Sequence, residues 1–112
     1  MNAEQLQSRD EAKRIAVLEA AAEVFPRYGF RRTTMSDVAE ASGISRPALY
    51  LMFENKEHLF SELVTYRLDL ACKEATEALH SKGPIAERFM NAVLSFERIF
   101  YEPLADSPHG AE

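Results

Sequence analysis

The sequence contains a single cysteine, Cys72, in 112 residues. An internal disulfide is therefore excluded, and the usage fits a reducing, cytoplasmic setting. No apolar run approaches the roughly 20 residues that a membrane-spanning helix needs, so no membrane partner is expected. The first ten residues, MNAEQLQSRD, lack the basic and apolar segments of a signal peptide. Internal repeats, low-complexity stretches and the alternating pattern of a strand are also missing. His58, His80 and His109 do not converge with Cys72. On one helix, His58 and Cys72 would stand about 21 Å apart along the axis, whereas zinc ligands all sit about 2 Å from one ion. No metal is expected. Nor does the sequence show a Ser/His/Asp set, a Gly-rich phosphate loop or a paired-carboxylate pocket, so neither a cofactor nor an enzyme is expected. Cys72 reads as a packed or idle thiol.

What the chain does have is ordinary globular material, 46% hydrophobic and 28% charged, enough for one domain, or part of one, with a small core. Its net charge of −5 argues against a polycation. The charge is uneven, however. Residues 1–60 hold 8 Lys and Arg against 9 Asp and Glu, and residues 61–112 hold 5 against 9. Between 27 and 56, Arg27, Arg31, Arg32, Arg46 and Lys56 outnumber Asp37, Glu40 and Glu54. A local basic surface of this kind binds phosphate even on an acidic chain.

The apolar spacing is helical throughout, which predicts an all-α fold. SRDE at 8–11 reads as a capping box starting a first helix, with Ile15, Leu18, Ala22 and Phe25 on one face. Pro26 predicts a kink or an early end, and Gly29 the stop. Thr34, with Asp37 three residues on, starts a second helix over Met35–Ser42. Gly43 ends it by taking a positive φ. Ser45 caps a third, short helix that ends near Phe53, with Pro47 harmless in its first turn. Asn55 caps a long fourth helix running to His80, with Leu59, Leu63, Tyr66 and Leu70 on one face. A fifth spans Pro84–Tyr101 and carries an apolar stripe of Phe89, Val93, Phe96 and Phe100, expected to be core. The tail PLADSPHGAE is expected to fray.

Two short helices joined by a tight, Gly-containing turn make a helix-turn-helix. Val38, Ala39, Ile44 and Leu49 would close its interior. The polar start of the third helix, Ser45, Arg46, Pro47, Ala48 and Leu51, would stay outside. In this motif the second helix enters the DNA major groove with its N-terminal residues towards the bases. Arg46 suits the O6 and N7 of guanine, and Ala48 and Leu51 suit a thymine methyl. Thr34, Ser36, Ser45, Tyr50 and Lys56 flank the helix and suit phosphates, helped by the positive N-termini of the second and fourth helices. Arg31 and Arg32 are candidate auxiliary phosphate contacts.

The stretch VFPRYGFRRTTMSDVAEASGISRPALYLMFENKEHLF, residues 24–60, resembles the DNA-binding segment of tetracycline-repressor-like (TetR-like) transcriptional regulators. The matching features are Phe25, Gly29-Phe30, Thr33-Thr34, Val38-Ala39, Gly43-Ile44-Ser45, Leu49-Tyr50, Phe53, Lys56-Glu57 and Leu59-Phe60, in that order. The likeness covers roughly residues 12–64. It implies a sequence-specific regulator, a repressor, that binds a palindromic operator on double-stranded DNA as a homodimer in the bacterial nucleoid. It also implies base contacts at Arg46, Pro47, Ala48 and Leu51, phosphate contacts at Thr34, Tyr50 and Lys56, and a contact of either kind at Ser36. The expected organisation is a disordered 1–8, a helix-turn-helix domain over 9–56, the truncated start of a helical ligand-binding and dimerisation domain over 57–102, and a flexible 103–112. The family's small-molecule inducer is an expectation for a full-length form only, since two helices do not enclose a ligand pocket and none is expected for this chain. The alternative reading is an interaction module that pairs with a full-length regulator through the fourth and fifth helices.

Overall fold

The computed structural model describes residues 2–105, and among them there are helices and turns but no strand. The elements are α1 (Ala3–Tyr28), α2 (Met35–Ser42), α3 (Arg46–Met52), α4 (Lys56–Leu79) and α5 (Ile85–Phe96). A π-helical turn, Glu97–Tyr101, follows, and then α6 (Glu102–Ala105). The chain divides into two compact units, residues 1–63 and 64–112, with α4 beginning in the first and ending in the second.

In the first unit, α1 starts earlier than the sequence suggests. Asn2 accepts from the Gln5 N–H at 2.9 Å, and the Gln5 side chain returns the bond to the Asn2 N–H at 3.1 Å. This reciprocal cap sets the start at Ala3, and Ser8 lies within the helix rather than capping it. Residues 3–8, expected to be disordered, are therefore helical. Pro26 does not end α1 either. It sits inside the last turn, where its missing N–H costs one bond to the preceding turn, and the helix closes with the Gly29 N–H on the Phe25 carbonyl at 2.8 Å. Gly29 has φ 84°.

The core is built from Val17, Leu18, Ala21, Val24 and Phe25 of α1, Met35, Val38 and Ala39 of α2, Leu49 of α3, Phe53, and Leu59 and Leu63 of α4. The buried face of α1 thus lies slightly round from the expected one, with Ile15 and Ala22 only half-buried. Burying a side chain such as Leu18 or Leu59 contributes about 1.5–3 kcal/mol. Three rings interlock beside this core. Phe25 stacks on Phe30 at 5.8 Å between centroids, and Phe60 meets both edge-on at 5.2 and 5.3 Å. Pairs of this kind add about 0.5–1.5 kcal/mol each beyond their buried area. Arg14 of α1 also meets Glu62 of α4 at 2.5 Å.

In the second unit, Arg67 donates to the Ile99 carbonyl at 2.7 Å, and Arg98 pairs with Glu74 at 3.0 Å. These bonds tie α4 to the π-helical turn. Arg88 donates to the Leu79 and Gly83 carbonyls, fixing the connection between α4 and α5. The expected stripe on α5 is not core. Phe89 is 60% exposed and Val93 44%, whereas Ala92 and Ile99 are buried and Phe96 and Phe100 half-buried, 5.6 Å apart. The helix is apolar on more than one side, and its small face, at Ala92, is the one turned inward. The Glu102 N–H bonds to the Glu97 carbonyl, five residues back. Ile99 stands seven residues after Ala92, two helical turns on, so the two buried residues share one face. Of the expected tail, Pro103–Ala105 is helical, and 106–112 lies outside the described residues.

Candidate nucleic-acid interface

The geometry of α2 and α3 follows from their caps. Thr34 Oγ1 accepts from the Asp37 N–H at 3.1 Å, and Asp37 Oδ2 accepts from the Thr34 N–H at 2.9 Å. At the other end Gly43 adopts φ 72° and ψ 24°, a left-handed conformation. Its N–H bonds to the Glu40 carbonyl, and the Ile44 N–H reaches back to the Ala39 carbonyl at 3.1 Å. This is the Schellman arrangement, which reverses the chain within two residues. Ser45 then caps α3, accepting from the Ala48 N–H at 3.2 Å. Leu49, fully buried, and Phe53, 1% exposed, anchor α3 from behind.

The opposite side of α3 is open. Leu51 is 89% exposed, and Ser45, Arg46, Pro47 and Tyr50 are exposed as well. Ala48 is half-buried at the edge of this face. The Arg46 guanidinium lies over the Tyr50 ring, 5.6 Å from its centroid. Thr34 and Ser36 are exposed at the start of α2, and Arg31 and Arg32 are exposed in the turn before it. At seven residues, α3 is about 10 Å long.

Lys56 is placed differently from its companions. It is half-buried, and its Nζ donates to the carbonyls of Phe30 at 2.6 Å and Arg31 at 3.3 Å. The same ammonium sits 4.4 Å from the centre of the Phe30 ring. Sequence reasoning also missed a side-chain network on α4. Asn55 accepts from the His58 N–H at 2.8 Å, His58 Nδ1 accepts from the Glu54 N–H at 3.0 Å, and His58 Nε2 faces Glu62 at 3.4 Å. Glu62 in turn holds Arg14. Arg14 and Glu62 are 48 residues apart, so no local pattern announces the pair.

Among the described residues no group of three or more His, Cys, Asp or Glu is placed to hold a metal, and no helix is long and apolar enough to cross a membrane. Cys72 is exposed. A shallow, open hollow of about 630 Å³ lies along α5 and the π-helical turn, lined by Asn91, Leu94, Arg98, Tyr101 and others. It lacks the enclosing walls of a ligand pocket.

Taken together, α2, the Gly43 turn and α3 define a helix-turn-helix unit with an outward-facing second helix. Residues 17–63 match the family model for bacterial regulatory proteins of the tetR family. The helix-turn-helix segment of this chain is thus similar to the DNA-binding segment of the TetR family. The chain is 35% identical over 85 residues to the HTH-type transcriptional regulator YhgD of Bacillus subtilis, covering 73% of this chain and 44% of that protein. It is 34% identical over 89 residues to the HTH-type transcriptional repressor KstR2 of Mycobacterium tuberculosis, covering 79% of this chain and 44% of that one. The chain thus spans less than half the length of either relative. Its fold superposes on the crystal structure of a TetR family transcription regulator from Marinobacter aquaeolei VT8 with a TM-score of 0.74 and 29% identity. That match covers 89% of this chain and 51% of the other.

Proposed function

We propose that this protein is a sequence-specific DNA-binding transcriptional regulator that acts as a repressor on DNA in the bacterial cytoplasm. The observation that carries the reading is α3. It is held from behind by Leu49 and Phe53, yet it presents Arg46, Pro47, Tyr50 and Leu51 to solvent. Such a helix lies in the major groove, where Arg46 reads guanine and Pro47, Ala48 and Leu51 touch apolar base edges, with Ser36 at the margin. Thr34, Ser45 and Tyr50 offer hydroxyl groups to phosphates, and Arg31 and Arg32 add charge. Repression follows from occupancy, because a protein seated on an operator excludes competing proteins. KstR2, a relative named as a repressor, supports this direction.

Binding to a palindrome requires two copies, with recognition helices separated by about 34–36 Å or a multiple of it. The exposed Ile85, Phe89, Met90 and Leu94 of α5 favour association, since apolar patches of this kind mark interfaces. The same face supports a second reading, in which the chain pairs with a longer regulator and withdraws it from DNA.

The test is fluorescence anisotropy with duplex DNA over a range of salt concentrations, beside a reporter gene under the selected operator. The proposal expects a linear fall of log affinity with log salt, and lower reporter output when the protein is present. Salt-independent binding, or a reporter unmoved by the protein, would reject it.

A further inference from the structure

Lys56 occupies the first turn of α4, the positive end of the helix dipole, where a cation is disfavoured. Its ammonium turns back onto the Phe30 carbonyl at 2.6 Å, the Arg31 carbonyl at 3.3 Å and the Phe30 ring at 4.4 Å. An ammonium has three N–H donors, and two of them are spent on main-chain oxygens in a half-buried setting. Hydrogen bonds from a charged donor to carbonyls are the strong kind. The ring beneath is itself fixed, because Phe30 is held between Phe25 and Phe60.

Those two carbonyls belong to the turn between α1 and α2. The rest of that turn is pinned at its far end, where buried Thr33 donates through both its N–H and Oγ1 to the Gly29 carbonyl at 3.1 and 2.7 Å. Thr34, the cap of α2, comes next. We propose that Lys56 is a positioning residue. Its ammonium clamps the Phe30 and Arg31 carbonyls, and so sets Arg31, Arg32 and Thr34 in place on the DNA-facing side, rather than neutralising a phosphate itself. The inference rests on the DNA-binding reading above for its consequence, but the clamp is measurable without DNA.

The experiment compares wild type, Lys56→Met, Lys56→Arg and Arg31→Ala in the whole chain. Amide hydrogen exchange of residues 30–34 is read in the free protein, and DNA affinity is read against salt. The clamp predicts faster exchange of 30–34 in both Lys56 variants. For Lys56→Met it predicts an affinity loss of about tenfold, as for a lost charged hydrogen bond. The slope of log affinity against log salt stays at the wild-type value. Arg31→Ala, by contrast, keeps the exchange pattern and lowers the slope by about 0.9, the signature of one phosphate released. Lys56→Arg keeps the charge but not the tetrahedral ammonium, and is predicted to behave like Lys56→Met. The proposal is overturned if Lys56→Met leaves exchange unchanged, or lowers the slope by about 0.9 while Lys56→Arg restores affinity, which is phosphate contact. If wild type binds no duplex at all, the DNA-binding reading fails, and the exchange arm still decides whether the clamp exists.

Discussion

The Arg46 guanidinium lies over the Tyr50 ring, one turn further along α3, with 5.6 Å between the guanidinium carbon and the ring centre. Neither side chain is buried. The contact links the proposed base reader to a proposed phosphate contact on the same helix. An exposed cation–π pair contributes about 0.5–1 kcal/mol, too little to hold the fold but enough to bias the rotamers of Arg46 before DNA arrives. Tyr50→Phe keeps the ring and removes the hydroxyl. It is expected to weaken binding to all duplexes alike. Tyr50→Ala removes the ring as well, and is expected in addition to blur discrimination at the base pair that Arg46 reads. Competition binding against single-base variants of the preferred site separates the two outcomes.

Gly43 gives a prediction about backbone alone. Its φ of 72° is left-handed, and an added Cβ would meet no atom within 4 Å. Gly43→Ala therefore carries only the conformational cost, about 1–2 kcal/mol. Gly43→Asn is expected to cost less, because Asn visits this region more readily. Urea unfolding measures both, and equal midpoints for wild type and Gly43→Ala would contradict the account of the turn.

Leu49 and Leu51 are two residues apart on α3 and have opposite expected effects. Leu49 is fully buried, so Leu49→Ala is expected to cost about 2–5 kcal/mol. Leu51 is 89% exposed, so Leu51→Ala is expected to leave stability within about 0.5 kcal/mol. Its effect should show only in DNA affinity. Thermal unfolding of the two variants, with anisotropy beside it, checks the division of labour between the faces of α3.

Thr34 serves both fold and function. Its Oγ1 caps the Asp37 N–H, and Thr34→Ala is expected to cost about 1 kcal/mol of stability. Thr34→Ser keeps the oxygen and is expected to restore most of it. A Thr34→Ala variant as stable as wild type, by urea unfolding, would mean that the cap contributes nothing.

The sequence made the local chemistry of the helix-turn-helix legible. Thr34, Gly43, Ser45 and Pro47 are residues whose backbone preferences act within a few positions, and α2 and α3 lie where those preferences put them. Val38, Ala39 and Leu49 are buried for the same reason, since short amphipathic helices leave little choice of face. Long-range partners were hidden. Nothing near Lys56 in the sequence announces the Phe30 carbonyl, 26 residues away, nor does Arg14 announce Glu62. The start of α1 was misplaced because two polar stretches, at Asn2 and at Ser8, both suit a cap, and the earlier one forms the reciprocal bonds. The face of α5 was misjudged because hydrophobic periodicity reports that a helix is apolar on a side, not which body covers that side. The bulky Phe89 side stays exposed, and the side marked by Ala92 and, seven residues on, Ile99 is the buried one.

The most direct test of the central claim, that α3 reads sequence through Arg46, is a binding selection from randomised duplex DNA with wild type and Arg46→Ala side by side. The account predicts a defined motif for wild type, as an inverted repeat if the chain pairs on DNA or as a single half-site if it does not. In Arg46→Ala one base pair of that motif should lose its preference, with a penalty of about 1–3 kcal/mol at that position. An unchanged motif in Arg46→Ala, or no motif for wild type, would contradict it.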